Sequence, residues 1–173
     1  MSLPAEIEEL ITNPARIAGF AFSTCHSEVV VALSVGTGVA VGMIDRTKKV
    51  AGILHTLLPD SGTDPMRRRV RPGLFVDSGI EHLLDEMKKR GARSERIETY
   101  LVGGALVLGA TNELKIGQRN CDAAKETLEK LGLKTFKELT QDYANRSLFL
   151  PVGDQSPWVT VTGKEERTVL CND

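Results

Sequence analysis

Residues 35–62 read VGTGVAVGMIDRTKKVAGILHTLLPDSG. The apolar segments 39–44 and 50–58 predict two strands, and the polar segment between them predicts a tight turn. Small residues around Gly38 precede the first strand, and His55 lies inside the second. This stretch therefore predicts a hairpin that carries a candidate active site.

The segments on either side of this hairpin predict further strands. RIAGFAFST and EVVVALSV lie before it, and β-branched and apolar residues dominate both segments. The later segments that predict strands are residues 97–102, the short segment 114–116, and RSLFLPVG, WVTVTG and RTVL near the end of the sequence.

Helical patterns are fewer than strand patterns. Residues 74–90 predict the main helix, because apolar residues recur at helical spacing and Gly91 follows its basic last turn. Asn120 is a candidate N-cap for a second helix that ends near Leu131. A short helix is expected within residues 1–15 and is ended by Pro14, and residues 60–73 predict a long loop.

These patterns predict one α+β domain over residues 1–173, with residues 1–15 as a helical N-terminal extension. Strands that are neighbours in sequence and joined by short turns favour a mixed or antiparallel sheet. Two main helices are available to cover that sheet. A doubly wound parallel sheet does not fit, because helices do not alternate with the strands.

Composition excludes several classes of function. The net charge is −1, with 41% hydrophobic and 26% charged residues, so a general nucleic-acid or membrane-surface binder is not indicated. The basic segment 66–71, MRRRVR, is interpreted as a solvated loop, with docking of an acidic partner as the alternative. No signal-peptide pattern or long apolar run is present, so a cytoplasmic protein without membrane insertion is expected.

The cysteine spacing predicts free thiols. Cys25, Cys121 and Cys171 are odd in number and far apart, and no pair has the spacing of metal ligands. Neither a metal nor another cofactor is expected. A phosphate-binding loop at Gly36-Thr37-Gly38 is also disfavoured, because a strand pattern rather than a helix follows it.

Individual polar residues have ordinary interpretations on sequence alone. His55 is either a core histidine or a general base for a nearby nucleophile. Cys25 and His26 are adjacent, so in an extended chain they point to opposite faces and do not form a pair. Asp77 and Glu81 are four residues apart on the main helix, and a solvated helix face explains them.

Several segments in order resemble the CheD family, the chemoreceptor glutamine deamidases of bacterial and archaeal chemotaxis. The resemblance extends over roughly residues 29–163. The segments that carry it are VVVALSVGTGVAVGMID, AGILHTLLPDSG, LFVDSGIEHLLDEMKKRGA, VGGA, IGQRN and NRSLFLPVG.

The resemblance implies a layered α/β sandwich that hydrolyses a glutamine side-chain amide to glutamate on a methyl-accepting receptor. The family uses a cysteine nucleophile, a histidine and a supporting threonine, and it has a CheC-type phosphatase as partner. Chemoreceptor cytoplasmic helices would be the substrate. The expected pocket residues besides these are Thr37, Ser61, Gly103, Gly104 and Asn120.

Two of the three catalytic positions differ from the family pattern. The family motif G-[S/T]-C-V corresponds to Gly36-Thr37-Gly38-Val39, so Gly38 stands where the cysteine belongs. Ala32 stands at the position of the threonine, and only His55 is retained. Without a nucleophile or a group that orients the histidine, the expected result is a catalytically inactive protein, which Gly38→Cys alone does not repair.

Three hypotheses follow from these differences. The first is an inactive CheD-like protein that binds a chemoreceptor helix, a CheC-type phosphatase or both. The second is an active protein-glutamine deamidase with a rearranged nucleophile, either Cys25 or Thr37. The third is a pocket reused for a small ligand or for another reaction, since replacing cysteine by glycine enlarges a site.

Overall fold

The computed structural model describes residues 11–106, 115–164 and 166–171. Its strands are β1 Ile11–Ala15, β2 Gly19–Ser23, β3 Val29–Val35, β4 Val39–Asp45, β5 Val50–Thr56, β6 Glu98–Gly103, β7 Thr135–Thr140, β8 Arg146–Pro151, β9 Trp158–Val161 and β10 Arg167–Val169. Its α-helices are α1 Pro65–Val70, α2 Val76–Lys89 and α3 Ile116–Lys130. Short 3-10 turns occupy Ser61–Thr63, Pro72–Leu74 and Ser94–Arg96.

The strands form two five-stranded mixed sheets. The first has the order β1-β3-β8-β9-β10, and the second has the order β2-β5-β4-β6-β7. Within the described residues, β1 pairs with β3 and β6 with β7 in parallel, and the other pairs are antiparallel. The hairpin predicted from residues 39–58 is therefore the β4–β5 pair at the centre of the second sheet.

The second sheet is the middle layer of the domain. Along β4, Val39, Val41 and Met43 belong to the core formed with α2 and α3, whereas Ala40 and Ile44 belong to the core formed with the first sheet. This alternation is the two-residue period of a strand buried on both faces. The order helices, sheet, sheet confirms the predicted layered α+β sandwich with two main helices.

Hydrogen bonds to Asp45 stabilise the turn of the central β4–β5 hairpin. Its carboxylate is fully buried and accepts hydrogen bonds from the Arg96 guanidinium at 2.7–3.1 Å and from the backbone N–H groups of Lys48 and Arg93, both at 3.0 Å. Burial raises the pKa of Asp45, but these donors outweigh it and hold the pKa below its ordinary value. The turn that sets the β4–β5 register is thereby fixed.

The predicted N-terminal helix over residues 1–15 is wrong for residues 11–15, the part that the structure describes. Residues 1–10 lie outside the described residues, and Ile11–Ala15 forms strand β1 instead of a helix end. Pro14 is compatible with this strand because β1 lies at the edge of its sheet. Strand β7 was not predicted, and its half-exposed residues explain its weak hydrophobic pattern.

The region before α3 also differs from its prediction. Leu114 lies outside the described residues, and Ile116 begins α3 instead of ending a short strand. Asn120 therefore lies inside the helix and does not cap it. The predicted loop 60–73 contains the short helix α1, which begins after Asp64, whose carboxylate accepts from the Arg67 N–H at 3.0 Å.

Candidate functional site

Gly38 lies in the turn between β3 and β4, and backbone atoms fill the space beside it. A Cβ atom built on Gly38 would overlap the carbonyl oxygen of Thr56 and would lie 3.3 Å from a methyl group of Leu57. Thr56 cannot yield easily, because its side-chain hydroxyl donates to the Leu74 carbonyl at 2.9 Å. In this conformation, position 38 has no room for a side chain.

The GGA segment after β6 holds the Gly38 turn from the other side. The Gly104 N–H donates to the Gly38 carbonyl at 2.7 Å, and the Ala105 N–H donates to the Gly36 carbonyl at 2.9 Å. Gly103 and Gly104 both have positive φ, and a Cβ on Gly103 would lie 2.6 Å from the Gly38 oxygen. Glycine is therefore required here by conformation and by close backbone approach.

The same segment packs against the start of α3. A Cβ on Gly104 would overlap the Cys121 sulfur and would lie 2.9 Å from the Gly117 carbonyl oxygen. Cys121 is completely buried, and burial raises the pKa of its thiol to about 11. This cysteine is a packing residue at neutral pH and is not a thiolate nucleophile.

Asn120 joins the two parts of the candidate site. Its side-chain amide donates to the Thr37 carbonyl and to the Leu57 carbonyl, both at 2.9 Å. Asn120 is fully buried, and its Oδ1 has no hydrogen-bond partner among the described residues. The predicted N-cap is thus a tertiary clamp, which binds the turn at Gly38 to the chain just beyond His55.

His55 is buried between small neighbours on β5. Its register partners are Gly19 on β2 and Ala40 on β4, and it shares a strand face with Ile53, which faces the first sheet. Only 3% of its surface is exposed, and none of the described residues hydrogen-bonds to its ring. Burial lowers the pKa of His55, so the imidazole is neutral at pH 7.

Ala32 faces the same inter-sheet core from the opposite sheet and offers no hydroxyl to the histidine. The β3–β8 register shifts between Ala32 and Val35, and Ser34 adopts a φ of 51°. The Ser34 N–H donates to the Ser147 hydroxyl at 3.0 Å. This irregularity was not predicted, and it lies between Ala32 and the Gly38 turn.

The first candidate for a replacement nucleophile lies at the wrong end of the sheet. Gly19 pairs with His55, whereas Ser23 pairs with Ala51, four residues away. At about 3.3 Å per residue, that separation is roughly 13 Å, and Cys25 lies beyond Ser23. The structure therefore excludes Cys25 as a partner for His55, and of the two replacement candidates only Thr37, half-buried in the Gly38 turn, remains.

The LPDSG loop is fixed to α2. The Ser61 hydroxyl donates to the Asp77 carboxylate at 2.7 Å, and the Ser61 N–H donates to it at 3.0 Å. Asp60 accepts from the Gly62 N–H at 2.7 Å. Ser61 thus anchors the loop, and Asp77 is not the solvated residue that was predicted. Glu81 does lie on a solvated face, where it pairs with Arg68 at 3.0 Å.

Two surface cavities of about 290 Å³ lie away from Gly38 and His55. One lies between α1 and α2, and the other lies near the end of the first sheet. The Thr56 carbonyl fills the position of the absent side chain, so replacement by glycine has not enlarged the site. This contradicts the reasoning behind a reused ligand pocket.

The described part of the chain holds neither a cluster of metal-ligating side chains nor a membrane-spanning helix. Across residues 11–106, 115–164 and 166–171, no group of three or more histidine, cysteine or acidic side chains could hold a metal ion. No helix within these ranges is both long and apolar enough to cross a membrane.

The buried His55 makes folding stability depend on pH. Its folded-state pKa lies below the ordinary 6.5, so the unfolded chain binds a proton first as the pH falls. We expect the free energy of unfolding to decrease below about pH 6.5, by up to about 1.4 kcal/mol per pH unit from this residue. Urea unfolding between about pH 5 and pH 7.5 measures this slope.

Two variants test whether His55 causes this pH dependence of the free energy of unfolding. His55→Gln should flatten it, because an amide does not titrate in this range. His26→Gln is the matched control, since the His26 imidazole lies on the surface with its side chain 52% exposed. An unchanged slope in His55→Gln would contradict the assignment.

Comparison with known proteins places most of the chain in one family. The model of the CheD family, described as CheD chemotactic sensory transduction, matches residues 57–161. That match includes the LPDSG, GGA and IGQRN segments, and it begins two residues after His55. It therefore supports the framework of the site without covering positions 32, 38 and 55.

Curated relatives extend the similarity. A probable chemoreceptor glutamine deamidase CheD of Pyrococcus abyssi is 39% identical over 117 residues, which cover 66% of this chain and 71% of the relative. The chemoreceptor glutamine deamidase CheD of Thermotoga maritima is 38% identical over 122 residues, which cover 69% of this chain and 73% of the relative. A probable chemoreceptor glutamine deamidase CheD of Methanococcus maripaludis strain C5 is 33% identical over 135 residues, which cover 78% of this chain and 85% of the relative.

Proposed function

Because this chain belongs to the CheD family, we propose that it is a catalytically inactive relative of the chemoreceptor glutamine deamidases that acts by binding. Its partner is a chemoreceptor cytoplasmic helix, a CheC-type phosphatase or both. Bound there, it occupies a surface that an active relative would otherwise use. The name of the Thermotoga maritima relative supplies the chemoreceptor as the partner class.

One observation carries the inactive assignment. The Thr56 carbonyl oxygen occupies the space that the side chain of a nucleophile at position 38 would need. Amide hydrolysis by this type of site requires a nucleophile whose proton a nearby base can accept. His55 is neutral and buried and has no hydrogen-bond partner in the described chain, and Ala32 supplies no group to orient it.

The binding role is supported by the integrity of the surrounding framework. Ser61 anchors the LPDSG loop, the GGA segment holds the Gly38 turn, and Asn120 connects that turn to the residues after His55. These contacts give the surface around the absent nucleophile a fixed shape. A site that retains its shape can bind a partner without performing its chemistry.

Mass spectrometry of a chemoreceptor cytoplasmic fragment tests the inactive assignment. The fragment is incubated with this protein, and a parallel sample receives the Thermotoga maritima deamidase as the positive control. We expect glutamine-to-glutamate conversion in the control only. Conversion by this chain would overturn the proposal and direct attention to Thr37, with Thr37→Val as the next variant.

Binding requires a separate measurement. We expect the same receptor fragment, or a CheC-type phosphatase, to form a complex with this protein in a calorimetric titration. Binding to neither partner, with both partners shown to be folded, would reject the binding role even if catalysis is absent.

A further inference from the structure

The short helix α1 exposes an apolar pair to solvent. None of its six residues is buried, and Met66 and Val70 are 72% and 70% exposed. These two side chains are four residues apart, so they lie on one face of the helix. Exposed apolar side chains that are grouped in this way are typical of an interaction surface.

A third exposed apolar residue lies near the turn that follows this helix. Ile17, in the turn between β1 and β2, is 60% exposed. The neighbouring Ala18 contacts the turn that follows α1, since a Cβ on Gly73 would lie 2.9 Å from the Ala18 carbonyl oxygen. Ile17, Met66 and Val70, with the exposed arginines that are their neighbours in sequence, are called the α1 patch; these arginines are Arg16, Arg67, Arg68, Arg69 and Arg71.

The α1 patch carries positive charge that the described residues do not neutralise. Arg67 pairs with Asp64 at 3.3 Å, and Arg68 pairs with Glu81 at 3.0 Å. The remaining arginines of the patch are exposed and form no ion pair within the described residues; they are Arg16, Arg69 and Arg71. The patch therefore combines an apolar centre with uncompensated guanidinium groups, which bind carboxylates in a bidentate manner.

The α1 patch lies at the same edge of the domain as the candidate site. The Leu57 and Leu58 N–H groups donate to the Leu74 carbonyl at 3.2 and 3.0 Å, which brings both ends of the α1 segment to the end of β5. Gly19 pairs with His55, and the turn that contains Ile17 continues from it. A partner seated on α1 would therefore approach the chain around His55.

We propose that the α1 patch is the docking surface for an acidic amphipathic helix of the chemoreceptor cytoplasmic region. The inference rests on the proposed function for the identity of the receptor, whereas the chemistry of the helix follows from the patch. An apolar pair spaced by one helical turn packs into the groove of another helix. Glutamates at the rim of that helix would meet the three unpaired arginines.

A membrane surface fits the patch less well than a helix does. The α1 helix has six residues, whereas interfacial helices bury a longer apolar face in the headgroup region. Nucleic acid is also disfavoured, because the chain has a net charge of −1. Both remain as measured alternatives in the test.

Charge reversal with a matched control tests the inference. Arg69→Glu/Arg71→Glu should weaken binding of the receptor fragment by about 10- to 100-fold, because attraction becomes repulsion at two rim positions. Lys88→Glu/Lys134→Glu makes the same change in net charge at the opposite end of the domain, in the last turn of α2 and just before β7, and should change the affinity by less than about 3-fold. All four side chains are exposed, so both proteins should fold, which circular dichroism verifies.

The outcomes separate this inference from the proposed function. Binding of the unaltered protein to neither the receptor fragment nor a CheC-type phosphatase would reject the proposed function itself, whereas binding to the phosphatase alone would reject only the docking of a receptor helix on the α1 patch. Binding that is weakened equally by both double variants, or by neither, would reject the α1 patch and leave the proposed function standing. The unaltered protein is also sedimented with phosphatidylserine vesicles and with duplex DNA at physiological salt. If it binds one of these and does not bind the receptor fragment, the ligand of the α1 patch is that membrane surface or DNA and not a receptor helix.

The apolar centre gives an independent readout. Met66→Ser/Val70→Ser leaves the net charge unchanged and should weaken receptor binding by about 10-fold, without changing the dependence of the affinity on salt. The charge-reversed variant should lose most of that salt dependence. An unchanged affinity in the serine variant would show that the contact is electrostatic only and would contradict helix packing on α1.

Discussion

Gly38→Cys is expected to yield a destabilised protein without deamidase activity, although it restores the residue type of the family at that position. The new Cβ would overlap the Thr56 carbonyl oxygen, and Thr56 is held by its bond to Leu74. Forcing additional atoms into a packed site costs about 1–3 kcal/mol, and more where the backbone itself must move. We expect a loss of at least about 3 kcal/mol in the free energy of unfolding.

Urea unfolding of three alanine and cysteine variants measures this cost. Gly38→Ala should be destabilised nearly as much as Gly38→Cys, because the overlap already involves Cβ. Gly42→Ala is the matched control on the adjacent strand β4, where a Cβ would meet the flexible methyl groups of Leu148 and Leu150 at 3.1–3.3 Å. Its loss should be clearly smaller.

Restoring the second missing group should not produce an enzyme. Ala32→Thr/Gly38→Cys returns both side chains of the family pattern, but the overlap with Thr56 remains. We expect no glutamine conversion in the mass-spectrometric assay. Conversion by this double variant, with full stability retained, would show that the Thr56 carbonyl moves aside and would contradict the steric argument.

Asn120→Asp is expected to cost about 3–5 kcal/mol, although it exchanges one amide nitrogen for oxygen. The Asn120 amide donates to two carbonyl oxygens, those of Thr37 and Leu57, at 2.9 Å. A carboxylate has no hydrogen to donate and would place a buried negative charge against both oxygens. The variant loses the clamp and gains repulsion in the same place.

A surface change on the same helix is the control for Asn120→Asp. Gln118 is also an amide, and it donates to Asp122 at the exposed surface at 2.8 Å. Gln118→Glu should cost only a few tenths of a kcal/mol, because water solvates both carboxylates. Equal losses of stability in the two variants would contradict the clamp. The loss in Asn120→Asp should shrink at acid pH, because a protonated carboxyl group can donate to one carbonyl.

The central elements were predictable from sequence because their patterns are strong and local. Nearly continuous apolar segments identified β4 and β5, and the helical spacing of Ile80, Leu83 and Met87 identified α2. The edge strands β1 and β7 were not identified. Both pair in parallel with residues distant in sequence, so their stability comes from partners that a local pattern does not reveal.

The candidate site was predicted in part. The resemblance brought Gly38, Gly104 and Asn120 together, and the structure shows these residues within one connected set of contacts. The role of Asn120 was predicted incorrectly, because asparagine near a helix start has a local capping use that competes with tertiary bonding. The overlap at Gly38 depends on where the Thr56 carbonyl points, which no sequence pattern specifies.

The burial of Cys121 gives this protein an internal reporter of its own opening. Cys25 and Cys171 are exposed, whereas Cys121 is enclosed where Gly104 meets α3. A maleimide should therefore modify two thiols rapidly, and the third should react only when α3 separates from the GGA segment. The rate at which the Cys121 thiol is labelled therefore measures local unfolding at the packing contact between α3 and the GGA segment.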